Sequence, residues 1–410
     1  MKASRRFVFV VLLFLTACQS LSGGAPVANT PTPTKIPSSL IPTNGPAPSN
    51  DSMTPTPDPD EPPPARAASE FTTDFSKHNV SYSEILSGGP PKDGIPALAD
   101  PRFVSVSEAD AWLKPVEPVI LVQVGDDARA YPIQILIWHE IANDTVGSEP
   151  LVVTFCPLCN TAIAFKRTVN GQVLDFGTTG RLRYSNLIMY DRQTETWWQQ
   201  ATGEAIAGEM TGMQLEFYPA VIISWQDFKT VHHDGKVLSR ETGYPRDYGH
   251  NPYIGYDDVN NPPFLYQGPT TPDQLPPVAR VLTIDLNGEA VAYPYETLEG
   301  IGVANDTVGG EAVVIFWQAG TVSPLDSATT ASGRDVGAAA AFSRTVDEQT
   351  LTFVADDGTL KDKETESTWN VLGLAVSGTL AGTQLLPVVS VNHFWFSWAA
   401  FRPGTRIFQP

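Results

Sequence analysis

Short apolar runs bounded by turn residues recur along the chain from about residue 95 onward. The run Val119–Val124 predicts a buried strand, and Leu151–Phe155 predicts a second one. Ala162–Val169 and Val173–Phe176 flank Asn170-Gly171, a dipeptide typical of a two-residue hairpin turn. The pattern therefore predicts mainly antiparallel β structure.

Helical spacing occurs in only a few short stretches. Residues 132–141 begin with proline and place isoleucine or leucine along one face, so we expect a helix with proline in its first turn. Trp225–Val231 predicts a second short helix. The predicted fold class is α+β, mainly antiparallel β with short helices.

Comparison of the chain with itself reveals two tandem pseudo-repeat units. Ala130-Tyr-Pro132 recurs as Ala292-Tyr-Pro294. Further matches follow in the same order, with an insertion in the second copy: Ala142–Gly147 with Ala304–Gly309, Ala164–Val169 with Ala341–Val346, Asp191–Trp198 with Asp362–Trp369, and Ser224–Phe228 with Ser397–Phe401. We predict a first unit at residues 95–260 and a degenerate second unit at residues 275–407, packed together.

The amino terminus has the order of a secretory signal peptide. Basic residues precede the apolar run Phe7–Leu15, which is far too short to span a bilayer as a helix. Small residues then lead to Cys18, and this stretch resembles the lipobox of bacterial lipoproteins. We expect a signal peptide at residues 1–17, lipid attachment to Cys18, and a protein anchored to the extracytoplasmic side of the cell membrane.

The segment at residues 18–67 is dominated by proline, threonine and serine, and it cannot bury enough apolar surface to offset its ordering entropy. We predict a disordered tether there. The whole chain carries a formal net charge of -19, so its field repels nucleic acid at long range. Nucleic acid is therefore excluded as a partner. The lipid anchor supplies the membrane contact, and the sequence does not identify a small-molecule or protein partner.

Apart from Cys18, the chain contains two cysteines, in the motif Cys156-Pro-Leu-Cys159. Two thiols with this spacing can share a metal ion or close a small disulfide. The pair lies between two predicted strands, whereas thioredoxin-type pairs open a helix, and this favours a metal-binding turn. Three uses stay open: a metal site, a structural disulfide in an oxidising compartment, and thiol-disulfide exchange.

Two cysteines do not complete a zinc shell, so a metal ion would need further donors. His139 is one candidate because it precedes the strand that carries the cysteines. Copper(I) also accepts a thioether, and Met189 is available. Copper and zinc are therefore the cofactors to consider.

The second unit lacks these candidate ligands. His139 aligns with Ile301, and a one-residue gap that matches Phe155 with Phe316 places Cys156 on Trp317. The same gap places Cys159 on Gly320. We therefore expect the second unit to be unable to perform the chemistry of the cysteine pair alone.

A second candidate site is the Arg/Tyr segment, residues 239–257. Loops rich in glycine and proline often carry function, and arginine with tyrosine can hold an anion or a sugar-like ligand. The alternative is that the segment only joins the two units. The ligand-binding candidates are Arg240, Tyr244, Arg246, Tyr248, His250 and Tyr253. Trp197 and Trp198 are expected in the core, since Trp369 recurs at the matching position.

Four motifs resemble the domain of unknown function 3179 family of bacteria and archaea. They are Pro132–Asp144 with its Trp138-His-Glu140, Val153–Cys159, Ser185–Arg192 and the Arg/Tyr segment. The resemblance is strong over residues 90–260 and weak over the second unit. It implies the domain assignment but no reaction, since no activity is assigned to the family.

The chain has no nucleophile elbow, phosphate-binding glycine loop, dinucleotide fingerprint or His-Glu-x-x-His motif. Most hydrolase, kinase and dehydrogenase functions therefore have no residue support. We expect a membrane-tethered extracytoplasmic protein that binds a metal or acts in redox chemistry through its cysteine pair. The alternative is a non-enzymatic ligand-binding or assembly module that a Cys156–Cys159 disulfide stabilises.

Overall fold

Strands form most of the regular structure in the residues described by the computed structural model, Asp58 and residues 60–410. None of the described α-helices is longer than seven residues. The fold is α+β with mainly antiparallel sheets, which confirms the predicted class. No described helix is long and apolar enough to cross a bilayer. The predicted signal peptide, Cys18 and most of the predicted tether lie outside the described residues.

The elements up to residue 238 form three sheets and a two-stranded ribbon. In chain order they are α1 (Ala67–Glu70), the 3-10 helix Tyr82–Glu84, β1 (Ile85–Ser87), β2 (Phe103–Ser105), α2 (Val106–Ala109), β3 (Pro118–Val124), β4 (Asp127–Pro132), α3 (Ile133–His139), β5 (Ile141–Val146), β6 (Glu149–Cys156), the 3-10 helix Pro157–Cys159, β7 (Thr161–Lys166), β8 (Thr168–Val169), β9 (Gln172–Val173), β10 (Phe176–Arg183), β11 (Asn186–Asp191), β12 (Trp197–Gln199), β13 (Ala205–Ala207), β14 (Phe217–Tyr218), β15 (Val221–Ser224), α4 (Trp225–Val231) and β16 (Lys236–Leu238). The sheet orders are β15-β3-β4-β16-β2, β14-β7-β6-β5 and β1-β10-β11-β12-β13, and β8 pairs with β9.

The elements from residue 280 onward follow a similar order. They are β17 (Arg280–Leu286), β18 (Glu289–Pro294), α5 (Tyr295–Ile301), β19 (Val303–Val308), β20 (Glu311–Gln318), β21 (Ala338–Ser343), β22 (Thr345–Val346), β23 (Gln349–Thr350), β24 (Phe353–Asp356), β25 (Thr359–Asp362), β26 (Thr368–Trp369), β27 (Ala375–Ser377), β28 (Val391–Phe394), α6 (Trp395–Phe401) and β29 (Arg406–Ile407). The sheet orders are β28-β17-β18-β29, β19-β20-β21 and β24-β25-β26-β27, and β22 pairs with β23. The described strand pairs are antiparallel except β4 with β16 and β18 with β29.

Strand pairing shows how the two sets of elements correspond. Thr154 and Phe316 occupy equivalent positions, since each pairs with the first residue of the preceding strand, β5 or β19. The one-residue gap in our alignment, which matched Phe316 with Phe155, is therefore wrong. Cys156 corresponds to Gln318, the last residue of β20.

The largest difference between these sets lies immediately after that position. Residues 157–160 join β6 to β7, whereas residues 319–337 join β20 to β21. The insertion seen in the sequence thus replaces the turn that carries the cysteines, and Gly320 lies within it, not opposite Cys159. The inserted residues contact the Arg/Tyr segment, where Gly255 N–H donates to Asp326 O at 2.7 Å.

Differences from the predicted elements occur at chain reversals. The helix α4 has the predicted bounds. The helix α3 ends at His139, two residues earlier than predicted, because Glu140 adopts a positive φ of 58°. The hairpin turn at Asn170-Gly171 is present, but it joins only β8 to β9, since β7 pairs with β6 and β10 pairs with β11.

The chain that precedes the first unit is also packed on the fold. The Glu61 carboxylate accepts hydrogen bonds from the backbone N–H groups of Tyr82 and Ser83 at 2.8 and 2.9 Å. Strand β1 pairs with β10. Asp58 and residues 60–67 belong to the segment that we predicted to be a disordered tether. This described end of the segment contacts the folded part of the chain instead.

Apolar side chains from both predicted units share buried clusters. One cluster contains Trp225 and Phe228 together with Phe316 and Trp369. Because these side chains are buried against one another, separation of the predicted units would expose their apolar surface to water. Trp197 and Trp198 are fully buried, as predicted.

A buried carboxylate joins the Arg/Tyr segment to the later part of the chain. Asp257 is 1% exposed and contacts the guanidinium groups of Arg280 and Arg334 and the hydroxyl of Ser323. Burial raises the pKa of Asp257, but the charge of Arg280 and these hydrogen bonds outweigh burial and lower it overall. The ionised carboxylate thus holds the end of the segment in place.

Replacement of Asp257 by asparagine should reduce the free energy of unfolding by about 3 to 5 kcal/mol, because it leaves two cations against a neutral group. Urea denaturation measures this loss. The matched control is Asp258→Asn, an exposed neighbour, which should change stability by less than about 0.5 kcal/mol. Equal effects of the two substitutions would contradict the anchoring role of Asp257.

Candidate functional site: a buried dithiol

The two cysteines lie in the turn between the central strands of a four-stranded sheet. Cys156 ends β6 and pairs with Thr161, the first residue of β7. One 3-10 turn fills the space between these strands, and proline suits its start because no partner is needed for the missing N–H. Asn160, with φ of 50°, returns the chain into β7. The motif is a strand-to-strand turn, as the sequence predicts.

Both thiols are buried, and both approach the same carbonyl oxygen. The Sγ atoms of Cys156 and Cys159 lie 4.0 and 3.4 Å from the Ser185 carbonyl oxygen. Tyr184 and Ser185 have positive φ, so a tight two-residue turn between β10 and β11 presents this carbonyl. The thiols are free. The disulfide of the alternative interpretation is therefore not formed in this structure.

The environment of Cys156 disfavours ionisation of its thiol. Burial raises the pKa of the Cys156 thiol well above its ordinary value, and the adjacent Cys159 raises it further. A hydrogen bond from the Leu187 N–H acts in the opposite direction but does not offset burial. Thiols used for disulfide exchange are partly exposed and acidic, so this site does not have the character of an exchange centre.

Glu140 lies close to the dithiol, and sequence analysis did not select it. It follows α3 with φ of 58°, a conformation that costs a residue with a side chain about 1 to 3 kcal/mol, and Gly302 stands at the equivalent position after α5. Burial and the nearby Cys156 raise the pKa of the Glu140 carboxyl well above its usual range. A buried carboxyl at a backbone position that favours glycine makes Glu140 a candidate functional residue. The Glu-to-Gly difference between the predicted units was the signal that the sequence offered for it.

Two tyrosines of the Arg/Tyr segment cover the site. The Tyr256 hydroxyl donates to the Leu158 carbonyl oxygen at 2.9 Å, within the cysteine turn. Burial raises the pKa of the Tyr253 phenol, and charge on Glu140 or Cys156 would raise it further. Tyr253, Glu140 and the thiols therefore share one environment of low polarity. The cysteine turn and the second part of the Arg/Tyr segment, two separate candidate sites in the sequence, therefore lie together in the fold.

His139 faces a different set of partners. Its Nδ1 donates to the Pro96 carbonyl oxygen at 2.7 Å, and its Nε2 accepts from the Tyr248 hydroxyl at 2.6 Å. Burial lowers the pKa of His139 to about 4, which the hydrogen bond to Pro96 opposes and the charge of Arg246 assists. The imidazole is thus neutral with both nitrogens occupied, and it has no free lone pair for a metal ion in this arrangement.

The other proposed ligand, Met189, lies in the core. It belongs to β11, where it pairs with Thr178 and Trp198, and it is fully buried in the cluster that contains both cysteines. Among the residues that the structure describes, no three His, Cys, Asp or Glu side chains are close enough to hold a metal ion together. A preformed zinc shell is therefore not present in this part of the chain.

The Arg/Tyr segment divides into two parts. In the first part, Arg240 binds the side-chain oxygen of Gln134 and stacks on Trp112. Arg246 lies within electrostatic range of His139. In the second part, exposed His250 pairs with Thr329 of the insertion. The segment thus contacts both His139 and the insertion at residues 319–337, so the two interpretations of it are not exclusive.

The later part of the chain also supplies a side chain to the cysteine turn. The Thr161 hydroxyl donates to the Cys159 carbonyl oxygen at 3.1 Å and lies 3.0 Å from His393 Nδ1. His393 belongs to β28 and is 1% exposed, and burial lowers its pKa to about 3. The neutral ring therefore donates through Nδ1 to the Thr161 oxygen, which in turn donates to the Cys159 carbonyl oxygen of the turn.

A family model described as "Protein of unknown function (DUF3179)" matches residues 92–405. The match includes the cysteine turn, the Arg/Tyr segment and the second unit, where the sequence resemblance was weak. No curated protein and no solved structure matches the chain.

Replacement of Glu140 by glycine should stabilise the fold by about 1 to 3 kcal/mol, because it removes both a strained backbone position and a buried carboxyl to which no described residue donates a hydrogen bond. Its raised pKa keeps the native carboxyl protonated while the unfolded one ionises above about pH 4.5. The gain should therefore be larger at pH 7 than at pH 4.5. Denaturant unfolding at both pH values measures it.

The matched control is Gly302→Ala, which should destabilise the fold, since the added Cβ would lie 2.6 Å from the Ala355 Cβ at a positive φ. A loss of stability in Glu140→Gly would show that the carboxyl has a structural partner and would remove the argument for function.

Proposed function

Because the chain belongs to the DUF3179 family, whose description names no reaction, we propose its function from the site: Cys156 and Cys159 form a buried dithiol that binds one thiophilic metal ion, copper(I) in the first place. The observation that carries the proposal is the approach of both sulfur atoms to the Ser185 carbonyl oxygen. Two sulfur donors that lie this close together can both coordinate one soft cation.

The donor set favours copper(I) over zinc. Zinc takes four ligands in structural sites, whereas copper(I) accepts two thiolates alone or with a thioether. The described residues offer no third His, Cys, Asp or Glu ligand, and the nitrogens of His139 are occupied. Met189 remains the candidate for a third, thioether donor.

Metal binding at this site must displace protons. Two S–H bonds break, two metal–sulfur bonds form, two protons leave, and no electrons are transferred. Because burial raises the pKa of the Cys156 thiol, release of its proton is costly at neutral pH, and the affinity should increase as pH rises. The neutral forms of Glu140 and Tyr253 add no further negative charge to the complex.

Anaerobic titration of the reduced protein with copper(I) against a chromophoric competitor tests this proposal. We expect one equivalent to bind, with an affinity that rises between pH 6 and pH 8. Cys156→Ser and Cys159→Ser should each weaken binding by at least about 100-fold, because one thiolate cannot close a two-coordinate site.

The matched control is His139→Asn, which should keep the copper(I) affinity, since its ring is bonded to Pro96 and Tyr248. Met189→Leu shows whether a thioether takes part. Wild-type protein that binds less than one equivalent under reducing conditions, or a Cys156→Ser variant that binds equally well, would contradict the metal site.

The proposal places this centre in an extracytoplasmic, lipid-anchored protein built by tandem duplication. The signal peptide and lipobox pattern before Cys18 support the anchor. The equivalent strand pairing of Thr154 and Phe316 supports the duplication. In this proposal the second unit has lost the cysteines and serves as a support.

Metabolic labelling of expressing cells with a radioactive fatty acid tests the anchor. Lipid attached at Cys18 should label the mature protein and retain it in the membrane fraction. Cys18→Ser should abolish both, whereas Cys156→Ser should change neither. Unlabelled wild-type protein, or a Cys18→Ser variant that stays in the membrane fraction, would contradict lipidation.

One observation favours a second function, that of an assembly or ligand-binding module. The latter part of the Arg/Tyr segment is hydrogen-bonded to the insertion of the second unit, with Asn251 N–H donating to Ala328 O at 2.9 Å. In that case the cysteines would only stabilise the turn. Loss of stability in the double Cys→Ser variant together with no copper(I) binding in the wild type would favour this alternative.

A further inference from the structure

A small cavity lies where the cysteine turn meets the later part of the chain. Asn160, the last residue of the turn, lines it together with Arg280 of β17 and Thr321 of the insertion. Apolar residues such as Ile133 and Val322 form much of the remaining lining. The volume that the centre of a water molecule can occupy is about 10 Å³, which is room for about one molecule.

Three residues of this lining each have a buried polar atom to which no described residue is hydrogen-bonded. These atoms are Asn160 Oδ1, Arg280 Nε and Thr321 Oγ1. Asn160 and Thr321 are each 2% exposed. The other polar side chains of the lining, Tyr295 and Asn392, are hydrogen-bonded to each other. Because buried polar atoms in proteins almost always have a partner, three such atoms around one cavity indicate a ligand that bonds to all of them.

The chemistry of these atoms restricts the ligand to a neutral molecule that both donates and accepts hydrogen bonds. The Arg280 Nε–H can only donate, the Asn160 Oδ1 can only accept, and the Thr321 hydroxyl can do either. A monatomic anion cannot donate to Asn160, and a metal cation would face the N–H group of Arg280. The charge of Arg280 is already paired with the Asp257 carboxylate, so the cavity needs no counterion.

We propose that this cavity is a binding site for one structural water molecule. The water accepts a hydrogen bond from Arg280 Nε, donates one to Asn160 Oδ1 and shares a third with the Thr321 hydroxyl. Buried waters typically make about three hydrogen bonds of this kind. The site does not include the sulfur atoms, and the proposal does not rest on metal binding.

The water connects the cysteine turn to two segments of the later part of the chain, β17 and the insertion. Asn160 has a φ of 50° and returns the chain into β7, so the water binds the residue whose conformation closes the turn. Within the turn, the Asn160 N–H donates to the Pro157 carbonyl oxygen at 3.3 Å, which is a long hydrogen bond. The water therefore adds a restraint that the turn does not supply itself, and we expect removal of its Thr321 partner to loosen the turn.

A high-resolution crystal structure of the reduced, metal-free protein tests the site. We expect a spherical density maximum at about 2.7 to 3.2 Å from Asn160 Oδ1, Arg280 Nε and Thr321 Oγ1. Thr321→Val keeps the shape of the side chain but removes the hydroxyl, so the maximum should be weaker in this variant. The matched control is Thr145→Val, at an exposed position of β5, which should leave the maximum unchanged. No maximum at this position in the wild type, or one whose anomalous scattering identifies chloride, would overturn the proposal.

Amide hydrogen exchange in the peptide that contains the cysteine turn tests the role of the water. Exchange should be roughly 5-fold faster in Thr321→Val than in the wild type, the effect of one net hydrogen bond, and unchanged in Thr145→Val. Equal exchange rates in the wild type and Thr321→Val would overturn the connection between the water and the turn. Because both experiments use protein without copper(I), failure of the metal proposal would not alter either result. A thermal unfolding midpoint near that of the wild type shows that each variant is folded.

Discussion

The account depends on the close approach of two thiols inside the protein. Cys156 and Cys159 are held by a turn of minimal length, and the Ser185 carbonyl oxygen is the polar group that both sulfur atoms approach. Burial makes ionisation of the Cys156 thiol costly. A cation that binds thiolates strongly can offset this cost, whereas a solvent-exposed redox partner has no direct access. The surrounding structure excludes solvent from both cysteines and keeps Cys156 paired with Thr161 at the end of β6.

The two predicted units contribute differently to this arrangement. The first provides the cysteines and Glu140, while the equivalent of Glu140 in the second is Gly302, which relieves the backbone strain. The second provides His393 to the cysteine turn and an insertion, residues 319–337, that contacts the Arg/Tyr segment. Because buried clusters include side chains from both, the cysteine turn of the first predicted unit depends on the second for its packing.

Local patterns in the sequence predicted local structure well. The apolar run that forms β3, the bounds of α4 and the strand-to-strand placement of Cys156 follow from spacing and turn residues alone. Partners that meet only through the tertiary fold could not be predicted in this way. His139 was paired with the cysteines because it is near them in the chain, but hydrogen bonds direct it to Pro96 and Tyr248. The environment of Glu140 likewise arises from long-range packing.

X-ray absorption spectroscopy at the copper edge, on protein loaded with one equivalent of copper(I), tests the central claim most directly. The two-thiolate site predicts a first coordination shell of sulfur atoms only, with no contribution from imidazole. The same spectrum in Cys156→Ser should lose this sulfur shell. A wild-type first shell dominated by nitrogen or oxygen would contradict the account, because it would place the metal ion away from Cys156 and Cys159.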